Sequence, residues 1–387
     1  MTLALVDPGI ILELVWWILV FGIAALGLNI VLGQGGMFHL GTVGFMVIGG
    51  TCSMIVTSNQ WRLVYDWGPL STFFFGALLG IFVSVLLAFG IGWPTLRLRG
   101  DYFAIATLGF EEIVRITLNA NPFESINPNA KTKLVLLPSV DVFGLPLISG
   151  TAGELIFVAV LFAVVFVISL RVIYSPFGRL LRASRDDELG TMSLGKDVFM
   201  LRMKAFMLSS VFGSLAGSLY VHHFRTFAPD QFSLMLTIVI LLTVILGGTG
   251  SSMGTLLGVI VIKLLIESPR WLVGFAIEQY WITSEQAAGI DIGGWNLMIF
   301  AILIILTMLL YPYGFLGEGG KLYFLAERMR VALFVSLRGL LRLSRTALPP
   351  SAPPPLPPAT APAVPPEVEA PAPIPPPPPP DDEGGRS

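Results

Sequence analysis

Ionisable side chains are scarce inside the apolar runs of this 387-residue chain, so the few that occur there stand out. Glu111 and Arg115 are four residues apart, and so are Lys263 and Glu267. At that spacing two side chains share a helix face and can pair. In lipid such groups are costly and mark either a pathway or a neutralising ion pair. The pairing favours neutralisation; a proton relay is the sharper alternative. A second set is uncharged at neutral pH: Asn29, Gln34, His39 and Thr42, the last three inside the glycine-rich run GQGGMFHLGTVG at 33–44. Five glycines break regular helix there and expose backbone polar groups. At membrane depth that is tolerable only against protein or a water-filled cavity. The run is a candidate lining of a translocation path, or a plain turn between the first two spans.

Other chemistry is missing from the sequence. No GxxxxGK[ST] or HExxH occurs, and the glycine-rich run 247–252 has no lysine, so it reads as a tight turn between helices. A single cysteine, Cys52, excludes a disulfide framework and a cysteine-based metal site. His39, His222 and His223 lack metal-site spacing with other ligands. The expectation is a chain with no catalytic residue, no metal, no bound cofactor and no nucleic-acid partner.

The densest charge lies at 171–204, RVIYSPFGRLLRASRDDELGTMSLGKDVFMLRMK, with seven Lys/Arg and four Asp/Glu. Ser175-Pro176 suits a helix start. Asp186, Asp187 and Glu188 suit the N-terminus of a second short helix. Gly190 and Gly195 can end turns. Apolar residues recur at Leu181, Leu189, Met192 and Leu194. On composition alone this is equally a docking element or a solvated loop that sets topology.

The elements that must hold these residues are membrane spans. Hydrophobic residues make up 54% of the chain and charged ones 12%; soluble domains carry about 25% charged residues. The mean hydropathy is +0.80. The reading is an all-α polytopic membrane protein of about nine transmembrane helices, near 10–32, 36–57, 70–95, 102–120, 152–172, 204–222, 231–248, 252–268 and 295–313. Arg97, Arg99, the 171–204 cluster and the basic residues of 321–345 fall on one side. The positive-inside rule makes that side cytoplasmic, with the N-terminus outside and the C-terminus inside. The pairs Gly76/Gly80 and Gly213/Gly217 and the ladder Gly250/Gly254/Gly258 predict close helix packing. Residues 1–320 form the transmembrane domain, with the cytoplasmic loop at 173–204. Residues 321–345 mix basic and apolar positions as an amphipathic juxtamembrane segment would. Residues 346–387, rich in proline, read as a disordered cytoplasmic tail.

Four stretches resemble the LivM-type permease subunits of ATP-binding-cassette (ABC) importers for branched-chain and other neutral amino acids. They are LGLNIVLGQGGMFHLGTVGFMVIGG at 26–50, PTLRLRGDYFAIATLGFEEIVRITLN at 94–119, SPFGRLLRASRDDELGTMSLG at 175–195 and LLTVILGGTGSSMGTLLG at 241–258. Two positions depart from the family pattern. His39-Leu40-Gly41-Thr42 stands where relatives read Ser-Leu-Gly-His, and Met192 stands where they commonly have Glu. The resemblance implies a permease bundle in the bacterial inner membrane. It implies a homologous LivH-type permease, two ATPase subunits that bind the ATP, and an extracytoplasmic binding protein as partners. It also implies that the 175–204 loop couples to the ATPase, through Pro176, Gly178, Arg179, Arg182, Arg185, Asp186, Asp187, Glu188, Leu194 and Gly195. Urea or another small solute is the alternative cargo. An autonomous secondary transporter or channel, or a scaffold acting through the proline-rich tail, are alternatives of other classes.

Overall fold

The computed structural model describes residues 8–57, 69–98, 101–120, 151–224 and 228–278, together with a few helical positions between 294 and 305. All of these fall in the compact unit Met1–Ala332. Residues 121–150 and 279–293, most of the expected ninth span, the 321–345 segment and the tail lie outside the described residues.

Every regular element among the described residues is a helix, with no strand. Helix α1 runs Pro8–Asn29 and continues as a π-helical turn, Ile30–Gln34. Helix α2 is Thr42–Thr57, α3 Pro69–Thr95, α4 Asp101–Asn119 and α5 Thr151–Tyr174. Two short helices follow, α6 Pro176–Asp186 and α7 Glu188–Ser193. Helix α8 is Val198–Phe224, α9 Leu234–Gly247 and α10 Ser252–Glu278.

Five helical segments are long and apolar enough to cross a bilayer: Gly9–Gln34, Ser71–Thr95, Gly153–Tyr174, Val198–Phe224 and Ser252–Pro269. Helices α2 and α9 are apolar but shorter. Two expected boundaries shift. Residues 36–41 are not helical, so the second helix starts at Thr42 instead of 36. The sixth expected span begins at Val198, because Asp197 caps it by accepting a bond from Met200 N at 3.0 Å.

Helix α8 sits at the centre, packed on α1, α2 and α3. Small residues allow the approach. A Cβ on Gly217 would overlap the carbonyl of Met46, and one on Gly49 the carbonyl of Ser214. Ser218 Oγ donates to Gly49 O at 3.1 Å within the same seam. Gly80 fits between Gly49 and Ser214. The third ladder closes the α9–α10 hairpin, where Gly258 meets the Thr243 carbonyl and Gly247 meets Gly254. Lipid offers no hydrophobic drive between helices, so this close backbone packing is what holds the bundle. The hairpin turn 248–251 needs left-handed backbone at Gly248 (φ 105°) and Gly250 (φ 90°), which only glycine adopts without strain.

Candidate functional site

The polar residues of the first span, the α9–α10 turn and the charged loop meet at one junction. Asn29 ends α1 and is fully buried; its Oδ1 accepts from Gly250 N at 2.8 Å. Five residues on, Gln34 Nε2 donates to Gly250 O at 2.7 Å. Both backbone groups of one glycine are therefore held by side chains from the end of α1. There is no space for more: a Cβ on Gly33 would overlap Gly250 N and Asn29 Oδ1. The π-helical turn rotates Gln34 out of α-helical register and brings it to this point; such turns recur at functional sites.

The amide oxygen of Gln34 faces α6. Arg182 donates to Gln34 Oε1 from Nε at 3.1 Å and from Nη2 at 2.8 Å. One turn further, Arg185 Nη1 donates to Gly33 O at 2.6 Å. The alkyl stem of Arg185 packs where a side chain on Gly36 would stand, and Gly36 has φ 65°. Charged donors make these bonds stronger than neutral ones. Leu181, fully buried beside them, anchors α6.

Local sequence builds α6 and α7. Ser175 caps α6, accepting from Gly178 N at 3.3 Å, with Pro176 at the first helical position. Asp187 caps α7, accepting from Gly190 N at 2.9 Å. Glu188 reaches Arg202 of α8 at 3.0 Å, and Asp186 pairs with Arg185 at 3.1 Å. Arg179 lies against the Tyr174 carbonyl at 3.4 Å. Gly195 closes the loop with φ 72° and open space around it.

Of the residues expected to couple to a partner, Arg182 and Arg185 are turned inward onto the chain's own backbone and Gln34. The reason is local: Gly33 O and Gln34 Oε1 present acceptors, and Gly36 leaves space, within reach of these two side chains. The outward surface mixes charge with apolar groups: Leu189 and Leu194 are each 76% exposed, beside exposed Arg179, Asp186, Asp187, Glu188 and Lys196. A cleft of about 900 Å³ lies beside α7, lined by Phe38, Leu98, Asp101, Leu189, Met192 and Arg202 among others.

His39 and Thr42 do not join the junction. His39 is fully buried among Phe45, Phe103 and Phe206. Its Nδ1 accepts from Gly41 N at 3.3 Å and so shapes the bend before α2. Thr42 is buried at the α2 start, against Gly213.

The expected Glu111–Arg115 pair is not the one formed. Arg115 binds Glu112, three residues away, at 2.5 Å, and Asp230 at 3.0 Å; Asn119 also donates to Asp230. Glu111 points the other way, into the bundle, where Thr237 Oγ1 of α9 donates to it at 2.5 Å. With Glu111 buried and Glu112 half-exposed, only the latter lies on the arginine's side of α4. Lys263 Nζ donates to Glu267 Oε1 at 2.7 Å, and it also lies 4.5 Å from the Trp17 ring centre. The partners Asp230, Thr237 and Trp17 are far away in sequence and left no spacing signal. Among the described residues no three His, Cys, Asp or Glu side chains group as a metal would require.

The sequence that builds this bundle matches a known family. A family model described as "Branched-chain amino acid transport system / permease component" covers residues 10–309. The chain belongs to this permease family. It is similar to the high-affinity branched-chain amino acid transport system permease protein LivM of Salmonella typhimurium, 29% identical over 320 aligned positions, covering 77% of this chain and 68% of that protein. The LivM of Escherichia coli K12 is likewise 29% identical over 321 positions, with the same coverage. A probable LivM of Methanocaldococcus jannaschii is 26% identical over 256 positions, covering 62% of this permease and 68% of the relative. No solved structure matches the chain. All of the junction residues, from Asn29 through Arg185 to Gly250, fall within the matched segment.

Proposed function

We propose that this chain is the permease subunit of an ABC importer that moves branched-chain amino acids across the bacterial inner membrane. Its partners in this reading are a homologous permease, two ATPase subunits and an extracytoplasmic binding protein. The observation that carries the reading is the junction in which Arg182 and Arg185 of the charged loop grip the end of α1, and through Gln34 the α9–α10 turn. A permease without a nucleotide site needs such a link, because the work of ATP must reach its spans through protein contacts.

In this mechanism the α6–α7 segment is the cytoplasmic coupling element. Leu189, Met192 and Leu194 present the surface on which the ATPase docks. Arg182 and Arg185 carry its displacement to Gln34 and Gly33. The π-helical turn and the glycine turn at 248–251 are the deformable parts, and α1 with the α9–α10 hairpin is the part that rocks. ATP drives transport by stabilising one of the two bundle states over the other. The ion pairs Lys263–Glu267 and Arg115–Glu112 keep charge neutral in or near the bilayer.

Uptake of labelled leucine, isoleucine, valine and urea in cells lacking this chain tests the reading. Restoring it in trans should restore uptake of the three amino acids and not of urea, and only alongside a functional ATPase subunit. Amino acid transport by the chain reconstituted alone, without ATP, would overturn the importer assignment.

A further inference from the structure

At the end of the bundle away from the α6–α7 loop, α1 and α10 enclose a pocket of about 220 Å³. It is lined by Ile10, Glu13, Leu14, Trp17, Lys263, Glu267 and Trp271. It is smaller than the roughly 300–1,000 Å³ of pockets that take drug-sized ligands, so a compact molecule fits it. Its chemistry is mixed: one ammonium, two carboxylates, two indole rings and an apolar floor. Counting about 1.5 Å per helical residue, Trp17 lies roughly 18 Å from Asn29 and Lys263 roughly 17 Å from Ser252, so the two helices bring them to one level. A lysine that far along an apolar helix is a functional candidate by its cost alone.

We propose that this pocket binds a compact zwitterion, a molecule with a primary ammonium and an anionic group a few bonds apart. An ammonium carries three donors. Lys263 gives one to Glu267 at 2.7 Å and lies over the Trp17 ring at 4.5 Å, which leaves capacity for an anion. Glu13 is exposed at the mouth and offers an acceptor to the incoming ammonium. The indole faces of Trp17 and Trp271 suit either the ammonium or an aliphatic side chain. Two sources share this chemistry: the transported amino acid, and the ethanolamine-phosphate headgroup of a membrane lipid. The first rests on the transport reading above and adds to it. The helices that form the pocket are the two whose other ends meet at the Asn29–Gly250 junction, so motion there reaches the pocket through rigid helix.

The test uses the assembled importer in nanodiscs, with Lys263→Gln, Glu13→Gln and the exchanged pair Lys263→Glu/Glu267→Lys. Two readouts are taken: leucine KM for uptake in matched proteoliposomes, and phosphatidylethanolamine retained on the complex after delipidation. Losing a hydrogen bond to a charged group costs roughly ten- to a hundredfold in affinity. An amino acid site therefore gives a leucine KM raised at least about tenfold in Lys263→Gln and in the exchanged pair, and less in Glu13→Gln. A headgroup site gives unchanged KM and loss of retained phosphatidylethanolamine in the same variants. The exchanged pair keeps the local charge neutral, so a merely structural ion pair is rescued by it. Wild-type values for the exchanged pair in both readouts, or no change in any variant, overturn the proposal. Glu13 is exposed, so Glu13→Gln assembles even where a lysine variant does not. Absence of leucine uptake by the wild-type complex is a separate result, which defeats the transport reading.

Discussion

Replacing Gln34 with leucine removes the link between the charged loop and the α9–α10 turn while filling its space. Gln34 accepts a forked contact from Arg182 at 3.1 and 2.8 Å and donates one bond to Gly250 O at 2.7 Å. It is 1% exposed, so water does not replace what leucine lacks. A hydrogen bond to a charged group contributes about 1.5–3 kcal/mol net and a neutral one about 0.5–1.5 kcal/mol. Taking the forked contact once, the junction loses roughly 2–4.5 kcal/mol. Only the part that differs between the two transport states weakens coupling, and coupling free energies between sites run about 1–3 kcal/mol, or roughly five- to 150-fold. We expect leucine transported per ATP hydrolysed to fall within that range, with the ATPase still attached. The assay is a proteoliposome measurement of labelled leucine and released phosphate together, on Gln34→Leu, Arg182→Met and the double variant. Residues acting through one contact give a double variant little worse than the worse single. Independent sites add within about 0.3–0.5 kcal/mol. Additive losses, or unchanged transport per ATP in Gln34→Leu, would refute the relay.

Four further outcomes are expected. Gly195→Arg, placed at φ 72° in open space at the end of the loop, should abolish ATPase co-purification while the bundle still inserts; Gly195→Asn, which tolerates that backbone, should retain it. Gly217→Val forces a side chain onto the Met46 carbonyl and should cost at least about 1–3 kcal/mol, read as loss of folded protein in detergent by size-exclusion fluorescence. Asp230→Asn affects a pair with a 71% exposed carboxylate and should change uptake by less than about twofold, whereas Glu111→Leu orphans the buried Thr237 hydroxyl and should reduce the yield of folded protein. Deleting 349–387, beyond the family match that ends at residue 309, should leave leucine uptake unchanged in the cell assay.

The helical bundle was legible from hydropathy because each long helix must present apolar surface to lipid over its whole length. Caps were legible where one residue does the work locally, as Ser175 and Asp187 do. Boundaries failed where hydropathy and glycine content disagree: hydropathy keeps 36–41 helical although the glycines of 33–44 signal a break, and these residues leave the helix to wrap His39 and meet α6. The pairing of Arg115 failed for a related reason. Helical spacing makes Glu111 and Glu112 both reachable, and only packing against α9 determines which one is buried.

By itself the sequence determined an all-helical membrane protein, a charged loop between apolar helices, and glycine patterns where backbones meet. Those properties depend on residue type and period, which are written along the chain. It also marked Asn29 and Gln34 as polar residues out of place, and Arg182 as part of the loop. Only the tertiary structure decided that they form one junction with Gly250, because the partners lie 148 and more residues apart. Hydrogen-bond geometry between distant segments follows from packing, and a π-helical turn that rotates one side chain has no one-dimensional signature.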